Sequence, residues 1–371
     1  MFAKQDNPIP TEVNPTLVKI LGWPRPHGSQ AEIQFRTWLK AQILEITGQE
    51  PEVLAHGCIY VHVNHLSGSK STTMFSCHVD TMDANGDGKL VDDLPVMKTL
   101  TYDPNLGIVG LAKDSPGSCL GADDGAGIWI MLNMMRAKVA GGYMFHTEEE
   151  RGGVGARAIL AKHKELLKTF EVAVAFDRPG DYEVITHQGG VECASAKFAN
   201  ALARMLREAG LTQYVTSTRG VFTDTKVYKD IIAECTNIGV GYTGQHGKGE
   251  DLDYQHLERL NKACVELNWQ ALPVDRDPSE VVVPTYAQYT SKTPSWPTVP
   301  PKKTAVAKKY KVLESEYDVL VQADKDELAE WVVTNSEEAL LAMISLITEV
   351  AQLRAEVMVL RSLAGVDTMA T

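Results

Sequence analysis

The run Phe145-His-Thr-Glu-Glu-Glu-Arg-Gly-Gly-Val-Gly-Ala156 sets two adjacent carboxylates, Glu149 and Glu150, between an apolar stretch and a glycine-punctuated turn. The stretch from Gly141 to Phe145 has the character of a buried strand. Neighbouring carboxylates repel and are costly to hold together away from water unless positive charge offsets them. A metal ion on one, with the other left to move protons, meets both demands. Four further segments carry residues of the same kind. Phe75-Ser-Cys-His-Val-Asp80 closes an apolar strand with His78 and Asp80, and Gly121-Ala-Asp-Asp-Gly-Ala-Gly127 opens a helix with Asp123 and Asp124. Phe176-Asp177 ends another strand, and Gly244-Gln-His-Gly-Lys-Gly-Glu250 presents His246 after a strand ending near Val240. Two histidines and three carboxylates suffice for two divalent ions that share one carboxylate. Such a donor set suits zinc, with manganese or cobalt as alternatives.

The elements that must position these residues alternate along residues 29–272. Ser29-x-x-Glu32 is a capping box for a helix running to about Ile46, with Phe35, Leu39, Ile43 and Leu44 on one face. Cys58 to Val63 and Thr72 to Cys77 read as strands, and Lys98 to Lys113 as a hairpin. Helices are expected from about Asp124 to Ala137, Ala194 to Ala209 and Asp253 to Trp269, and strands at Val172 to Phe176 and Glu234 to Val240. This alternation predicts an α/β fold, a mostly parallel central sheet with helices on both faces. Ligand sites in such sheets lie beyond the carboxyl ends of the strands.

The five motifs, in this order, resemble those of the co-catalytic zinc exopeptidases, a superfamily that includes peptidase T, bacterial aminopeptidases and related carboxypeptidases and deacylases. His78-Val-Asp80-Thr, Leu120-Gly-Ala-Asp-Asp124-x-Ala-Gly-Ile128 and Glu149-Glu150-x-Gly-x-x-Gly-Ala are closest to peptidase T. The resemblance spans residues 25 to 272. It implies that His78 and Asp177 bind one zinc ion and Glu150 and His246 the other, with Asp124 as the bridge. Asp124 is preferred to Asp123 because the family's bridging residue matches the fourth position of Gly-Ala-x-Asp. Asp80 would accept a hydrogen bond from His78 and fix its tautomer. Glu149 would be the general base, moving a proton from the attacking, metal-bridging water to the leaving amine. Peptidase T inserts a lid and dimerisation domain between the segments matching Asp177 and His246. The corresponding stretch here is too short for one, which favours the layout of the compact aminopeptidases.

Several residues have plainer roles. Asp83-x-Asn85-x-Asp87-Gly88 imitates a calcium loop, but Leu94 stands where the bidentate Glu is needed, so a polar surface turn is expected. His256, a rival to His246, falls in a helical segment and is taken as structural. Glu148 to Glu150 alone would also fit a solvated helix start. Asp224, in a Thr-Asp that recurs near the family's site, has no assigned role.

Net charge of −12 argues against a nucleic-acid footprint. No apolar run is long enough to span a bilayer. The six cysteines stand singly, without a C-x-x-C pair, and Met1-Phe-Ala-Lys-Gln-Asp6 lacks the apolar core of a signal peptide, so a cytoplasmic protein with reduced thiols is expected. Residues 1–272 are expected to form the catalytic domain and 273–304, with seven prolines before Lys303, a linker. Residues 305–371 read as a helical oligomerisation tail. Met343, Val350, Val357 and Ala364 fall at heptad position a and Leu346, Leu353 and Leu360 at d, while Glu349–Arg354 and Glu356–Arg361 have the spacing of pairs across a parallel seam. An antiparallel hairpin with the preceding helix, through Leu313, Tyr317, Leu320, Leu328 and Trp331, is the alternative.

The expected protein is a di-zinc exopeptidase acting on peptides, foremost an aminopeptidase. A carboxypeptidase or N-acyl amino-acid deacylase would need a cation for the substrate carboxylate, for which Arg151, Arg178 and Arg219 are candidates. An inactive binding or assembly protein on the same fold would be expected to have lost part of the ligand set.

Overall fold

A computed structural model describes residues 7–83, the backbone of 90–91, and residues 94–279. The imitation calcium loop falls largely outside the described residues, as do most of the proline-rich segment and the whole heptad tail. The principal sheet contains β1 (Glu52–Val53), β2 (Ile59–Val63), β3 (Thr73–His78), β4 (Gly141–His146), β5 (Val172–Arg178), β6 (Glu183–Ile185), β7 (Val215–Ser217) and β8 (Glu234–Gly239). Their order across the sheet is β7-β6-β8-β5-β3-β4-β2-β1. The centre is parallel, with Val174 opposite Phe75 and Phe75 opposite Tyr143, while β2 and β6 join antiparallel to β4 and β8. The α/β expectation holds, with antiparallel strands added outside the parallel core.

Alternation along the central strands explains their burial on both faces. Val172, Val174 and Phe176 join a core with Phe75, Cys77, Tyr143 and Phe145. Ala173, Met74 and Met144 point the other way, into a smaller core with Ala156, Ile159, Phe170 and Tyr228. The larger core is covered by α1 (Pro15–Gly22), α2 (Gln30–Thr47), α3 (Ala122–Arg136), α5 (Ala196–Glu208) and α6 (Tyr254–Glu266), and the smaller by α4 (Val154–Lys162) with the short turns near it. Caps fix four of these starts, and at α1 the Asn14 side chain accepts the amide hydrogens of Thr16 and Leu17. Ser29, Ser195 and Asp253 side chains accept the amide hydrogens of Glu32, Phe198 and His256.

The predicted hairpin forms as Leu100–Asp103 against Ile108–Leu111. It belongs to a second sheet, because Asp251–Asp253 pairs with Ile108–Leu111 and Tyr242–Thr243 pairs with Asp251–Asp253. That sheet carries the His246 loop, whose supporting strand after Glu250 was not read in the sequence. The chain stays attached to the body past the expected boundary at Leu272. Lys197 Nζ lies 2.8 Å from Asp275, and Arg276 donates to the carbonyls of Ala233 and Ile232. Among the described residues no helix is long and apolar enough to cross a membrane.

Candidate metal centre

Parallel strands β3, β4 and β5 deliver three of the five motifs to one edge of the sheet. His78 closes β3 opposite His146 of β4, Glu149 and Glu150 follow β4 in a single tight turn, and Asp177 is the next-to-last residue of β5. Asp123 stands in the first turn of α3, where backbone angles are not yet helical and the Asp123–Asp124 peptide is cis. The turn after β4 needs its glycines: Gly152 and Gly153 have φ of +87° and +67°, and a Cβ on Gly155 would run into the Thr147 carbonyl oxygen.

Two triads meet at this edge, His78–Asp123–Asp177 and Asp123–Glu150–His246, each with its donor atoms within 4.8 Å of one another. His78 Nε2 lies 2.9 Å from Asp123 Oδ1 and 3.5 Å from Asp177 Oδ1. On the other side His246 Nε2 lies 3.2 Å from Asp123 Oδ2 and 2.9 Å from Glu150 Oε1. One carboxylate therefore faces both histidines, an oxygen to each.

That carboxylate is Asp123, which corrects the expectation of Asp124. Asp124 is wholly buried and turned into the protein, where its Oδ2 accepts the His78 amide hydrogen at 3.2 Å and its Oδ1 that of Gly127 at 3.0 Å. Its work is to hold the end of β3 against the start of α3. The role expected of Asp80 also divides. The Asp80 carbonyl, 3.0 Å away, accepts from His78 Nδ1, while the Asp80 carboxylate is 3.7 Å from that nitrogen. The carboxylate instead accepts the amide hydrogens of Glu149 and Glu150, at 3.2 and 3.3 Å. Asp80 thus ties the turn bearing both glutamates to the end of β3. Glu148 is taken up elsewhere, 3.3 Å from His27 Nε2 and 3.0 Å from His56 Nδ1.

The charges at this edge call for a cation. A carbonyl can only accept, so His78 Nδ1 carries a hydrogen and Nε2 is the atom offered to Asp123 and Asp177. Burial opposes a charge on His78, yet Asp123, Asp177 and Asp80 push its pKa well above the ordinary value. Contacts with Asp123 and then Glu150 raise His246 to about 10. Burial raises Asp177 and Glu150, although the contact with His246 works against it at Glu150. Burial, followed by the Asp177 charge, lifts Glu149 well above the carboxylate range. Two imidazoles and three carboxylates that converge in this way, with one carboxylate shared between the triads, fit divalent metal ions.

Supporting residues that the sequence did not disclose surround the donors. Thr223 Oγ1 donates to Asp177 Oδ2 at 2.6 Å and Tyr242 Oη to Asp177 Oδ1 at 3.2 Å, fixing the carboxylate on both oxygens. His146 is held by Tyr228 Oη at 2.7 Å and lies 3.2 Å from Ser76 Oγ and 3.3 Å from Asp224 Oδ2. Burial pushes the His146 pKa down to about 3, so it is neutral. Asp224, unassigned from sequence, is therefore the partner of a buried histidine just ahead of the glutamate turn. The only sequence signal for this network was the Thr223-Asp224 pair. His256 is buried in α6, 3.0 Å from Tyr214 Oη, and lies outside both triads.

Fold and donor set together define an α/β protein with a candidate divalent-metal site at the carboxyl edge of its parallel strands. Residues 60–257, more than half of the chain, match the model of peptidase family M28, and the chain belongs to that family. It is a metal-dependent peptidase, as the resemblance to the zinc exopeptidases implied. A tripeptidase from Staphylococcus aureus superposes at a TM-score of 0.51 and 14% identity, over 67% of this chain and 95% of that one. The TET1 peptidase of Pyrococcus horikoshii does so at 0.50 and 15%, over 67% and 98%. An aminopeptidase from the archaeon Desulfurococcus kamchatkensis gives 0.50 and 13%, over 72% and 97%. These likenesses are of fold. A search of curated proteins finds no match.

Proposed function

We propose that the protein is a di-metal aminopeptidase, with zinc as the metal its donors suit best. His78 and Asp177 would hold one ion, Glu150 and His246 the other, and Asp123 both. The observation that carries this is the Asp123 carboxylate, which offers one oxygen toward each histidine. When bound, the pair of ions supplies Lewis-acid polarisation of the scissile carbonyl and makes water acidic enough to attack it near neutral pH. Glu149 takes the proton of the attacking water on its carboxylate and gives it to the leaving amine nitrogen. Asp80 holds the Glu149 and Glu150 amides, and Thr223 and Tyr242 keep both oxygens of Asp177 in place.

Two of the three candidate arginines favour aminopeptidase over carboxypeptidase or deacylase activity, while Arg151 beside Glu150 is exposed. Arg178 and Arg219 both bind Glu183, each through Nε and Nη2, at 2.6 to 3.1 Å, so both are already engaged within the protein. Carboxylates dominate the centre, which favours a substrate α-ammonium over a substrate carboxylate. Hydrolysis of free di- and tripeptides by zinc-loaded protein, with N-acetylated peptides left intact, is the expected result. The reverse preference would make it a deacylase.

Six free, buried cysteines support a reducing compartment, as expected of a cytoplasmic protein. We also propose self-association through the heptads of residues 343–364. The TET1 peptidase, described as able to assemble into a tetrahedron or an octahedral shell, is a relative in fold that does assemble. Light scattering should give a smaller mass when Leu353→Asp and Leu360→Asp are combined. An unchanged mass would favour the hairpin.

A further inference from the structure

Three of the five site loops are joined by a pair of buried charges that touch none of the metal-donor side chains. Glu250 closes the loop that carries His246, and its side chain is nearly inaccessible. Glu250 Oε1 accepts the amide hydrogen of Asp123 at 2.9 Å, and Oε2 accepts that of Gly121 at 2.9 Å. The carboxylate thus clips the turn from which the shared Asp123 side chain projects. Arg25, fully buried, completes the brace from the other side of the same residue. Its Nη2 donates to the Gly121 carbonyl at 2.9 Å and its Nε to the Val79 carbonyl at 2.8 Å. Val79 lies between His78 and Asp80, so one planar guanidinium fixes the spacing between the β3 terminus and the Asp123 turn. Nη1 anchors the group to the Ile20 and Trp23 carbonyls at the end of α1.

The chemistry of the pair explains why these two types occur here. A bidentate carboxylate accepts two nearly parallel amide hydrogens, and a guanidinium presents a rigid fork of donors to several carbonyls. Lysine at the same place has one nitrogen and cannot hold the Val79 and Gly121 carbonyls in a set geometry. Burying an arginine for packing alone would be costly. Gly121, with φ of +78°, has its amide on Glu250 and its carbonyl on Arg25, so this single residue is gripped from both sides.

We infer that Arg25 and Glu250 are positioning residues that set the shared Asp123 carboxylate in its bridging attitude before metal arrives. The inference rests on the di-metal reading above. Loss of an outer hydrogen bond of this kind typically weakens metal affinity about 10–100-fold. Because Asp123 serves both triads, the loss should fall on both ions.

The test is a zinc titration of metal-free full-length chain, read by calorimetry and by competition with a chelator, for wild type, Glu250→Gln and Arg25→Lys. Wild type should take up two ions. Each variant, folded by far-ultraviolet circular dichroism, should bind both about 10–100-fold more weakly. Wild type binding fewer than two ions would sink the di-metal reading and this inference with it. Two ions in wild type, with affinities in a folded variant equal to wild type, would overturn the inference alone. Amide hydrogen exchange in metal-free wild type gives a check that needs no variant. The Gly121 and Asp123 amides should already be protected, and protection that develops only on adding zinc would refute preorganisation.

Discussion

His78 and Asp177 stand on central strands and are 1% and 8% exposed, whereas His246 stands in a loop between two short strands with its side chain 46% exposed. The first pair inherits its position from the parallel sheet, where each strand is hydrogen-bonded on both sides. The second is placed by local devices. Gly244 takes φ of +67°, His246 itself takes +66°, and the loop closes through the Glu250 amide onto the Gly247 carbonyl at 3.0 Å. One half of the centre is thus rigid and dry, the other solvent-facing and dependent on its turns. Asp123 spans the two, which is why the clip on its backbone bears on both.

Glu149 belongs to neither half and should show the largest effect. Glu149→Gln removes the group proposed to carry the proton but leaves the proposed metal donors in place. Turnover should fall about 10²–10⁴-fold with metal content unchanged. Near-normal turnover would remove Glu149 from the mechanism, and Glu148, engaged with His27 and His56, would not be an obvious replacement.

Next comes the residue the halves share. Asp123→Asn should weaken binding of both ions by more than the roughly 10–100-fold expected for an outer contact. Elemental analysis of dialysed protein should then find well under the wild-type content. Loss of a single ion would mean that Asp123 serves one half alone.

Separating the halves gives the third prediction. His246→Ala should lose the outer ion and retain the inner, because His78 and Asp177 keep their supports in Asp80, Thr223 and Tyr242. His78→Ala should be the more damaging, since it removes the buried imidazole from the rigid half. A cobalt titration followed by absorption would resolve the two steps. Equal loss from both variants would mean that the contrast in burial has no bearing on affinity.

The same contrast decided what could be read from the chain. Residues fixed by strand ends were legible: His78 and Asp177 follow apolar runs, and those runs are the strands. Glu149 and Glu150 were singled out only alongside the other four motifs, since alone they fit a solvated helix start equally well. The choice between Asp123 and Asp124 was not, since both lie in an irregular turn where side-chain direction follows from backbone angles that residue types do not reveal. Asp80 was placed beside the right histidine but with the wrong atom, because a carbonyl leaves no mark in a sequence. Arg25 and Glu250 were invisible for a related reason: what they bind is backbone. The second sheet was half seen, its hairpin evident and its partner strand at Asp251–Asp253 too short to show a period.

Asp124 gives the smallest effect and the sharpest distinction between neighbours. Its carboxylate accepts two buried amide hydrogens, from His78 and Gly127, and a Cβ on Gly127 would collide with it, so the two are tightly packed. Asparagine retains one acceptor oxygen, leaving one amide without its partner at a cost of about 1–3 kcal/mol. Part of that cost is offset, because burial and the nearby Asp177 charge already disfavour an ionised Asp124. Asp124→Asn should therefore lower the unfolding midpoint of the metal-free protein modestly while two ions still bind. If the variant instead keeps its stability and loses an ion, Asp124 is a ligand after all and the bridge assigned to its neighbour falls.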